Sequence, residues 1–434
     1  MMCNFQVGFC KKDITPPLGT LLMGYPRDRV SNKVLDHLYA NAIAMRQGDT
    51  VAILIGLDLA LITVENSTAI RNQIAQELGI SADGISIFAI HTHSGPIVTT
   101  TPGWGDSNDE YLLGTMAPNA VAAAKEAYAN IKPAQVAVGT AQSYAAVNRR
   151  QIKDGQVILG QNPDGPFDPT MTVVRFQTLE GAPICSFVHY ACHPTAAGSN
   201  WSITRDWPGV VVDRLEEISG APCLYMNGAQ GDVGPRLSNG DTGGYTEDAL
   251  YEIGFIARED AQKAYEAATE FSVPQLKVFA GQIPLPYNPA PTLEQVQAQI
   301  DALPEKLVDV DIMVNAKLQR LKAMLLNGEE FPTGYCLHQP MVALDDFVMV
   351  FSAFETFSEI AMAIQAGSPY GRTLYVGLAN GCLCYLPTVE QLPYGGYEVD
   401  SFHANGGVTG FVDNTSELFT AGVIDLLKQM KENG

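Results

Sequence analysis

Basic residues are scarce in this sequence, and it has no long apolar run. It holds 26 lysines and arginines against 47 aspartates and glutamates, which gives a formal net charge of −21. Because nucleic acids and anionic membrane surfaces attract cationic patches, this charge argues against both as partners. No apolar window approaches the ~20 residues that a transmembrane helix needs, so no transmembrane segment is predicted.

A secretion signal is also missing, and the cysteines show little clustering. Residues 1–12 lack the basic segment and following apolar run that mark a signal peptide. The eight cysteines are scattered, and only Cys382 and Cys384 lie close together. Scattered cysteines in apolar surroundings are typical of buried thiols in a reducing compartment. We therefore expect a cytoplasmic protein.

Length and composition indicate a globular chain with ample core. The 434 residues are 46% hydrophobic and 17% charged, as in ordinary globular proteins. Such a length is typical of two or three domains, although single large α/β domains reach it. Strand and helix patterns alternate without an internal repeat. We predict one large α/β domain over residues 1–434, with mixed β-sheets flanked by helices.

Local patterns predict particular elements within this domain. Apolar segments at 39–47 and 51–57 flank a Gly-Asp turn, which is typical of a β-hairpin. Helical spacing over 65–78 then precedes a buried strand at 85–90, a β-α-β unit that favours parallel pairing. Residues 289–330 are expected to form two amphipathic helices, a helical hairpin laid on the main domain.

The most informative stretch is the buried strand that ends in two histidines. His91 and His93 follow the apolar residues 85–90 directly. Alternate side chains of an extended chain share a face, so both rings are predicted to point the same way. Two imidazoles at one sheet edge suit a metal site or a proton-transfer site. The structural alternative is one hydrogen-bonded core histidine and one surface histidine.

Polar residues also follow other apolar strands. His193 comes just after one strand, Asp232 lies in a glycine-rich loop after another, and Glu355 is predicted to open a helix after a third. In α/β proteins, functional residues collect at strand ends and on the loops beyond them. Three of the seven histidines lie just past strongly apolar strands, which favours a metal site.

Several motifs, taken together and in order, resemble those of the neutral ceramidases. The resemblance covers nearly the whole chain and is closest to the catalytic N-terminal domain of that family. Its most specific part is His-Thr-His-Ser-Gly-Pro at 91–96. The supporting motifs are Asp-Ile-Thr-Pro at 13–16, Gly-Tyr at 24–25, Asn-Arg at 148–149, His-Pro-Thr at 193–195, Gly-Ala-Gln-Gly-Asp-Val at 228–233 and Gly-Leu-Ala-Asn at 377–380.

The resemblance implies an amidase with one zinc ion. By motif, the family's metal ligands correspond to His91, His193, Glu355 and Tyr385. His93 and Arg149 correspond to residues beside the metal that engage the scissile group, and Tyr397 to a second tyrosine of the site. In such a site, zinc-bound hydroxide attacks an amide, or an ester or lactone, of a small or N-acylated substrate.

Each of these residues also has an ordinary structural explanation. Tyr385 could be a hydrogen-bonded core tyrosine. Glu355 could be a first-turn carboxylate that the helix dipole favours. Arg149 could simply pair with one of the many acidic residues.

Four further residues are predicted to play supporting parts. Asp206 precedes Trp-Pro-Gly and is predicted to cap a helix. His189, on the strand before His193, is expected to be structural or to contact a metal ligand without binding the metal itself. Asp58 and Asp232 are predicted to orient metal ligands by contacting them, without binding the metal themselves.

The match with the family breaks at two places that concern the substrate. The family has a serine after Gly-Asp-Val, and this chain has Gly234 there, which excludes a covalent route through that serine. The sequence ends at Gly434, without the additional C-terminal domain of ceramidases. We therefore expect a small-molecule amide substrate that is smaller or more polar than ceramide.

Two other functions stay open from the sequence. A bare His-x-His also occurs in two-metal amidohydrolases, which are barrels of eight β/α repeats. A metal-containing binding protein without catalytic activity is the other alternative, and the loss of the family serine at Gly234 favours it.

Overall fold

The computed structural model describes residues 5–25, 29–237, 247–308 and 310–432. The strands in these ranges are β1 Gln6–Asp13, β2 Lys33–Val34, β3 Tyr39–Gln47, β4 Thr50–Leu57, β5 Ile85–Ala89, β6 Lys132–Gln142, β7 Ala146–Lys153, β8 Gln156–Asn162, β9 Thr170–Thr178, β10 Pro183–Tyr190, β11 Ser202–Ile203, β12 Cys223–Asn227, β13 Val233–Pro235, β14 Leu276–Pro286, β15 Gly334–Leu344, β16 Phe347–Phe351, β17 Glu355–Thr356, β18 Arg372–Val376 and β19 Tyr385–Leu386.

The helices in the same ranges are α1 Val64–Leu78, α2 Asp109–Tyr111, α3 Ala117–Ala129, α4 Trp207–Ser219, α5 Glu247–Ala267, α6 Leu293–Asp301, α7 Val310–Asn327, α8 Ser358–Gly367, α9 Tyr397–Asn405 and α10 Thr415–Glu432. A π-helical turn, Leu112–Met116, joins α2 to α3. None of these described helices combines the length and the apolar character that crossing a membrane requires.

The central sheet has eight strands in the order β12-β10-β9-β6-β1-β3-β4-β5. β1 and β6 pair only at Gln6 and Val7, so the sheet divides there into two halves. The carboxyl ends of β5 and β12 come together, because Asn227 Nδ2 donates a hydrogen bond to the carbonyl oxygen of Ile90 at 3.1 Å. The candidate site lies next to these strand ends, since His91 and His93 follow β5 directly.

Both faces of the central sheet are buried. In β4, Ile53 and Ile55 belong to the core that contains α1 and α3, whereas Ala52 and Leu54 pack toward a second sheet. That second sheet has the order β14-β15-β16-β18, and α8 and α10 cover its other face. Burial on both faces explains why β4 and β5 are apolar almost without interruption.

The predicted local elements are confirmed. β3 and β4 form an antiparallel hairpin, with Ile43 opposite Leu54. β4 and β5 are parallel and are joined through α1. The central sheet mixes parallel and antiparallel pairs, unlike the eight parallel strands of a β/α barrel. The barrel of a two-metal amidohydrolase is therefore the wrong fold for this chain.

Helices α6 and α7 lie in the segment that was predicted to form a helical hairpin. Thr292 closes a capping box at the start of α6. The two helices bury Val296 and Leu321 in a small shared cluster. Helix α7 also reaches the rest of the domain, since Asn405 Nδ2 lies 3.5 Å from Met313 Sδ. This contact places α7 beside α9 and, as shown below, beside the candidate site.

The cysteines are only partly core residues. Cys185, Cys192, Cys223 and Cys384 are buried, Cys10 and Cys382 are partly buried, and Cys336 is exposed. Cys3 lies outside the described residues. The expectation that all of them are core thiols is wrong for Cys336, whose Sγ lies 3.1 Å from Gln282 Oε1.

Asp58 gives a prediction about the pH dependence of stability. It is buried after β4, and its Oδ2 accepts a hydrogen bond from the Tyr39 amide at 2.8 Å. Burial, partly offset by Arg205, raises its pKa to about 7, against about 3.9 in an unfolded chain. The folded state thus binds the Asp58 proton more tightly than the unfolded chain does. The stability that this proton binding contributes is lost as the pH rises from about 4 to about 7.

Asp58→Asn keeps an acceptor for Tyr39 and cannot ionise. We expect its advantage in unfolding free energy over the wild type to grow by up to roughly 2 kcal/mol between about pH 5 and about pH 8. Urea unfolding at both pH values measures it. An advantage that stays constant or shrinks would contradict the raised pKa.

Candidate metal centre

His91 and His93 follow β5 but do not continue it. The strand ends at Ala89, and His91 has a left-handed backbone with φ 76°. The prediction that strand alternation points both rings the same way is therefore wrong. The rings still meet, with centroids 4.8 Å apart and the two Nε2 atoms 3.4 Å apart. The backbone turn at His91 brings the two imidazoles together.

Backbone carbonyls fix the tautomers of His91 and His193. His91 Nδ1 lies 2.6 Å from the oxygen of Ala60, and His193 Nδ1 lies 2.7 Å from the oxygen of Gln230. Because a carbonyl oxygen only accepts, each Nδ1 carries the proton and each Nε2 presents a lone pair. Metal-binding histidines are typically oriented by such a partner on the other nitrogen.

Glu355 and Tyr385 lie opposite each other in a small parallel sheet. They are partners in the register of β17 and β19. The prediction that Glu355 opens a helix is wrong, since α8 begins only at Ser358. The short strand pairing matters because it turns both side chains toward the histidines. Tyr385 Oη lies 3.3 Å from His193 Nε2.

Three acceptor atoms converge at the centre of this site. Glu355 Oε2 lies 3.1 Å from His91 Nε2 and 3.3 Å from His193 Nε2. Among the described residues this buried oxygen has no hydrogen-bond partner. Burial lowers the pKa of His193 to about 3, so its Nε2 stays unprotonated. Two imidazole nitrogens and a carboxylate oxygen therefore lie close together in a buried site, an arrangement that a divalent cation stabilises.

His93 completes a set of three histidines whose ligand atoms lie within 4.8 Å of one another. Burial lowers its pKa well below the usual value, with the other two imidazoles adding to the effect. Its ring is packed against Gly24, where a Cβ atom would come within 2.4 Å of the imidazole. The Gly-Tyr motif at 24–25 therefore contains the one residue small enough for this approach.

Arg149 links the site to a buried ion-pair network. Its Nη2 donates to Tyr385 Oη at 3.1 Å, and its Nε donates to Glu398 Oε1 at 2.8 Å. The second carboxylate oxygen of Glu398 accepts from Arg150 Nη1 at 2.8 Å. Sequence reasoning missed both Arg150 and Glu398. Their only sequence signal is adjacency, since Arg150 follows Arg149 and Glu398 follows Tyr397.

A cavity of about 270 Å³ opens in front of these residues. Tyr397 lines it at the start of α9, with its ring centroid 5.7 Å from that of Tyr385. Met313 of α7 and Trp104 also line it. The structure thus brings all the residues predicted for the site into one region: His91, His93, Arg149, His193, Glu355, Tyr385 and Tyr397.

The supporting residues have other partners than predicted. Asp58 bonds Tyr39, and Asp232 accepts from Ser358 and Asn148. Neither contacts a site histidine through these bonds, because the backbone carbonyls orient the rings. The prediction that these aspartates orient ligands is therefore wrong as stated. Asp232 instead ties β7 and the start of α8 together.

Asp206 and His189 both make structural contacts. Asp206 caps α4, as predicted, and its carboxylate also accepts from the amides of Ala196 and Ala197 at 3.1 Å and 2.9 Å. It thereby fixes the loop after His193. His189 Nε2 lies 2.7 Å from the carbonyl oxygen of Tyr375, which is a structural contact between the two sheets.

Comparison with known proteins gives one family and a set of related structures. The family described as neutral/alkaline non-lysosomal ceramidase, N-terminal, matches residues 5–233. The crystal structure of neutral ceramidase from Pseudomonas aeruginosa is similar with a TM-score of 0.77 at 18% identity, over 100% of this chain and 75% of that chain. A structure described as ceramidase complexed with C2 has a TM-score of 0.76 at 17% identity, over 99% and 76%. No curated protein matches by sequence. The predicted mixed α/β fold is confirmed.

Proposed function

This chain belongs to the neutral/alkaline non-lysosomal ceramidase family, and on that premise we propose that it is a zinc-dependent hydrolase of an amide bond in an N-acylated small molecule. The observation that carries the proposal is the position of Glu355 Oε2, which lies 3.1 Å from His91 Nε2 and 3.3 Å from His193 Nε2. Nitrogen and oxygen donors of this kind suit zinc.

The residues around that centre have different proposed roles. His91, His193, Glu355 and Tyr385 would hold the ion, which would supply Lewis-acid chemistry and lower the pKa of a water molecule. Arg149 donates to Tyr385 Oη; burial alone would lower its pKa, but Tyr385 and Glu398 raise it above its usual value. The guanidinium therefore stays charged, and it opposes the rise in the pKa of Tyr385 that burial and Glu355 cause.

His93 is the residue placed for proton transfer. Its ring lines the cavity, and its Nε2 lies 3.4 Å from His91 Nε2. The lowered pKa keeps it neutral at rest, so it can take a proton from an attacking water and pass it to the leaving amine. Tyr397, at the cavity wall, can donate a hydrogen bond to the amide oxygen as negative charge develops there.

The cavity supports a compact substrate. Its volume of about 270 Å³ is just below the roughly 300–1,000 Å³ of small-molecule sites. Gly234 lies in β13 opposite Val147 and offers no side chain to a substrate. The volume of the cavity supports the expectation of a substrate smaller than ceramide. Esters and lactones present a similar carbonyl group and belong in any substrate test.

The proposal is tested by turnover of a panel of N-acyl amides, N-acyl amino acids, esters and lactones, followed by mass spectrometry. We expect the zinc-loaded protein to release an acid and an amine, and a chelator to stop the reaction. Restored activity on adding zinc back would separate metal loss from unfolding. Tight zinc binding without turnover of any compound would instead favour the catalytically silent binding protein.

Glu398 provides a test of the network behind the site. Its carboxylate is 1% exposed and accepts from both Arg149 and Arg150. Glu398→Gln removes the charge that positions Arg149, so we expect kcat to fall about 10- to 100-fold while zinc content and KM change little. Glu390→Gln, at an exposed position nearby, is the matched control. Unchanged kcat in a folded Glu398→Gln protein would rule out this positioning role.

A further inference from the structure

A second cavity, of about 290 Å³, lies between the two large sheets. It shares no lining residue with the cavity at the metal centre. One wall is formed by β6, β9 and β10 of the central sheet, and the other by α8 and the first residues of β18. It is therefore a separate compartment of the same domain.

The inner face of the central sheet changes character where this cavity begins. Val174 of β9 and Phe187 of β10 belong to the apolar core between the sheets. Two residues further along the same face, Thr172 and His189 are register partners, and Thr140 of β6 pairs with Thr172 in turn. A row of hydroxyl and imidazole groups thus replaces the apolar residues that this layer contains elsewhere.

Two polar atoms of this row have no partner among the described residues. They are Thr172 Oγ1 and His189 Nδ1, in side chains that are 0% and 8% exposed. His189 is held in place, since its Nε2 contacts the Tyr375 carbonyl. Buried hydroxyl and imidazole groups are nearly always hydrogen-bonded in native proteins. Thr172 and His189 therefore hold unsatisfied hydrogen-bonding groups within this wall.

The charges that line the cavity are one of each sign. Among the described lining residues the charged ones are Asp168 and Arg372. Asp168 Oδ1 accepts from the Thr170 amide at 2.9 Å, which orients the carboxylate. Burial lowers the pKa of His189, so the imidazole adds no charge. A guanidinium binds a carboxylate in a fork, and a carboxylate binds an ammonium group.

From this arrangement we propose that the cavity binds a free α-amino acid. Arg372 receives the carboxylate of the ligand, Asp168 receives its ammonium group, and the row of Thr140, Thr172 and His189 provides the remaining hydrogen bonds. A molecule with both charges complements the cavity, whereas an anion or a cation alone leaves one lining charge unpaired. This site does not depend on the hydrolase function proposed for the metal centre.

Isothermal titration calorimetry of the full chain tests this with glycine, L-serine and L-glutamine as probes. We expect at least one of them to bind at millimolar concentration or below. Acetate, ethylamine and glycerol, which carry the anion, the cation and the hydroxyl groups separately, should bind at least about tenfold more weakly. Binding of none of the amino acids, or equally tight binding of glycerol, would overturn the proposal.

Three variants link the binding to the cavity. Arg372→Leu and Thr172→Val should each weaken the best amino acid about tenfold or more, whereas Arg258→Leu on α5, outside the cavity, should not. Arg372 is only partly buried, so its variant stays informative if Thr172→Val fails to fold. Unchanged affinity in folded Arg372→Leu would contradict the assignment. Glu355→Ala should bind the amino acid normally, which separates this site from the metal centre.

Discussion

Glu355→Ala is expected to lose bound zinc and hydrolytic activity together. The carboxylate oxygen of Glu355 lies close to the Nε2 atoms of both His91 and His193, so the substitution removes a carboxylate donor from the place where they meet. Because the Lewis-acid contribution of a metal is several kcal/mol, the loss of activity should be at least about 10³-fold. Metal analysis after dialysis and turnover of the best substrate measure the two effects.

The fold should survive this change. Glu355 Oε2 has no hydrogen-bond partner among the described residues, so the alanine variant should unfold at a temperature close to that of wild-type protein stripped of metal. Glu359→Ala, at an exposed position of α8, is the matched control and should keep zinc and activity. Full zinc content in folded Glu355→Ala would show that the ligand assignment is wrong.

His93→Ala is expected to keep most of its zinc and lose turnover. His91 and His193 have backbone partners that orient a lone pair toward the centre, whereas His93 Nδ1 has no hydrogen-bond partner among the described residues. We therefore assign His93 to proton transfer, and the fall in kcat should be about 10²- to 10⁴-fold. Metal content, kcat and KM are measured on the same preparation.

The three-histidine cluster makes this a discriminating experiment. The ligand atoms of His91, His93 and His193 all lie within 4.8 Å of one another, so His93 is also close enough to serve as a ligand. Loss of zinc from His93→Ala would identify His93 as a metal ligand. His37→Ala is the control, because His37 is exposed and pairs with Asp13 at the surface.

Much of the fold could be predicted from local sequence because local physics decides it. The β3–β4 hairpin follows from a Gly-Asp turn between apolar segments, and α4 begins at the cap and proline that mark its start. The order of strands in the sheet could not be predicted. It depends on contacts such as the two-residue pairing of β1 with β6, which have no local signature.

The candidate site also combines features that local sequence predicts with features that depend on long-range contacts. Motif resemblance selected residues that the structure brings together, but it did not supply their geometry. Glu355 was predicted to open a helix, and the pairing of β17 with β19 overrides that local preference. Glu398 and Arg150 were missed because an ion pair separated by 248 positions becomes visible only when the chain is folded.

Apolar periodicity predicted the fold class, and short motifs indicated the family and most of the candidate site residues, because both patterns are properties of neighbouring residues. Tertiary contacts set which side-chain atoms of the candidate site face one another. It turns His91 through a left-handed backbone and fixes its tautomer with the carbonyl of Ala60. It also sets Glu355 opposite Tyr385 and encloses a polar cavity between the sheets. Such contacts join segments that are distant in the sequence, so they have no local sequence signature.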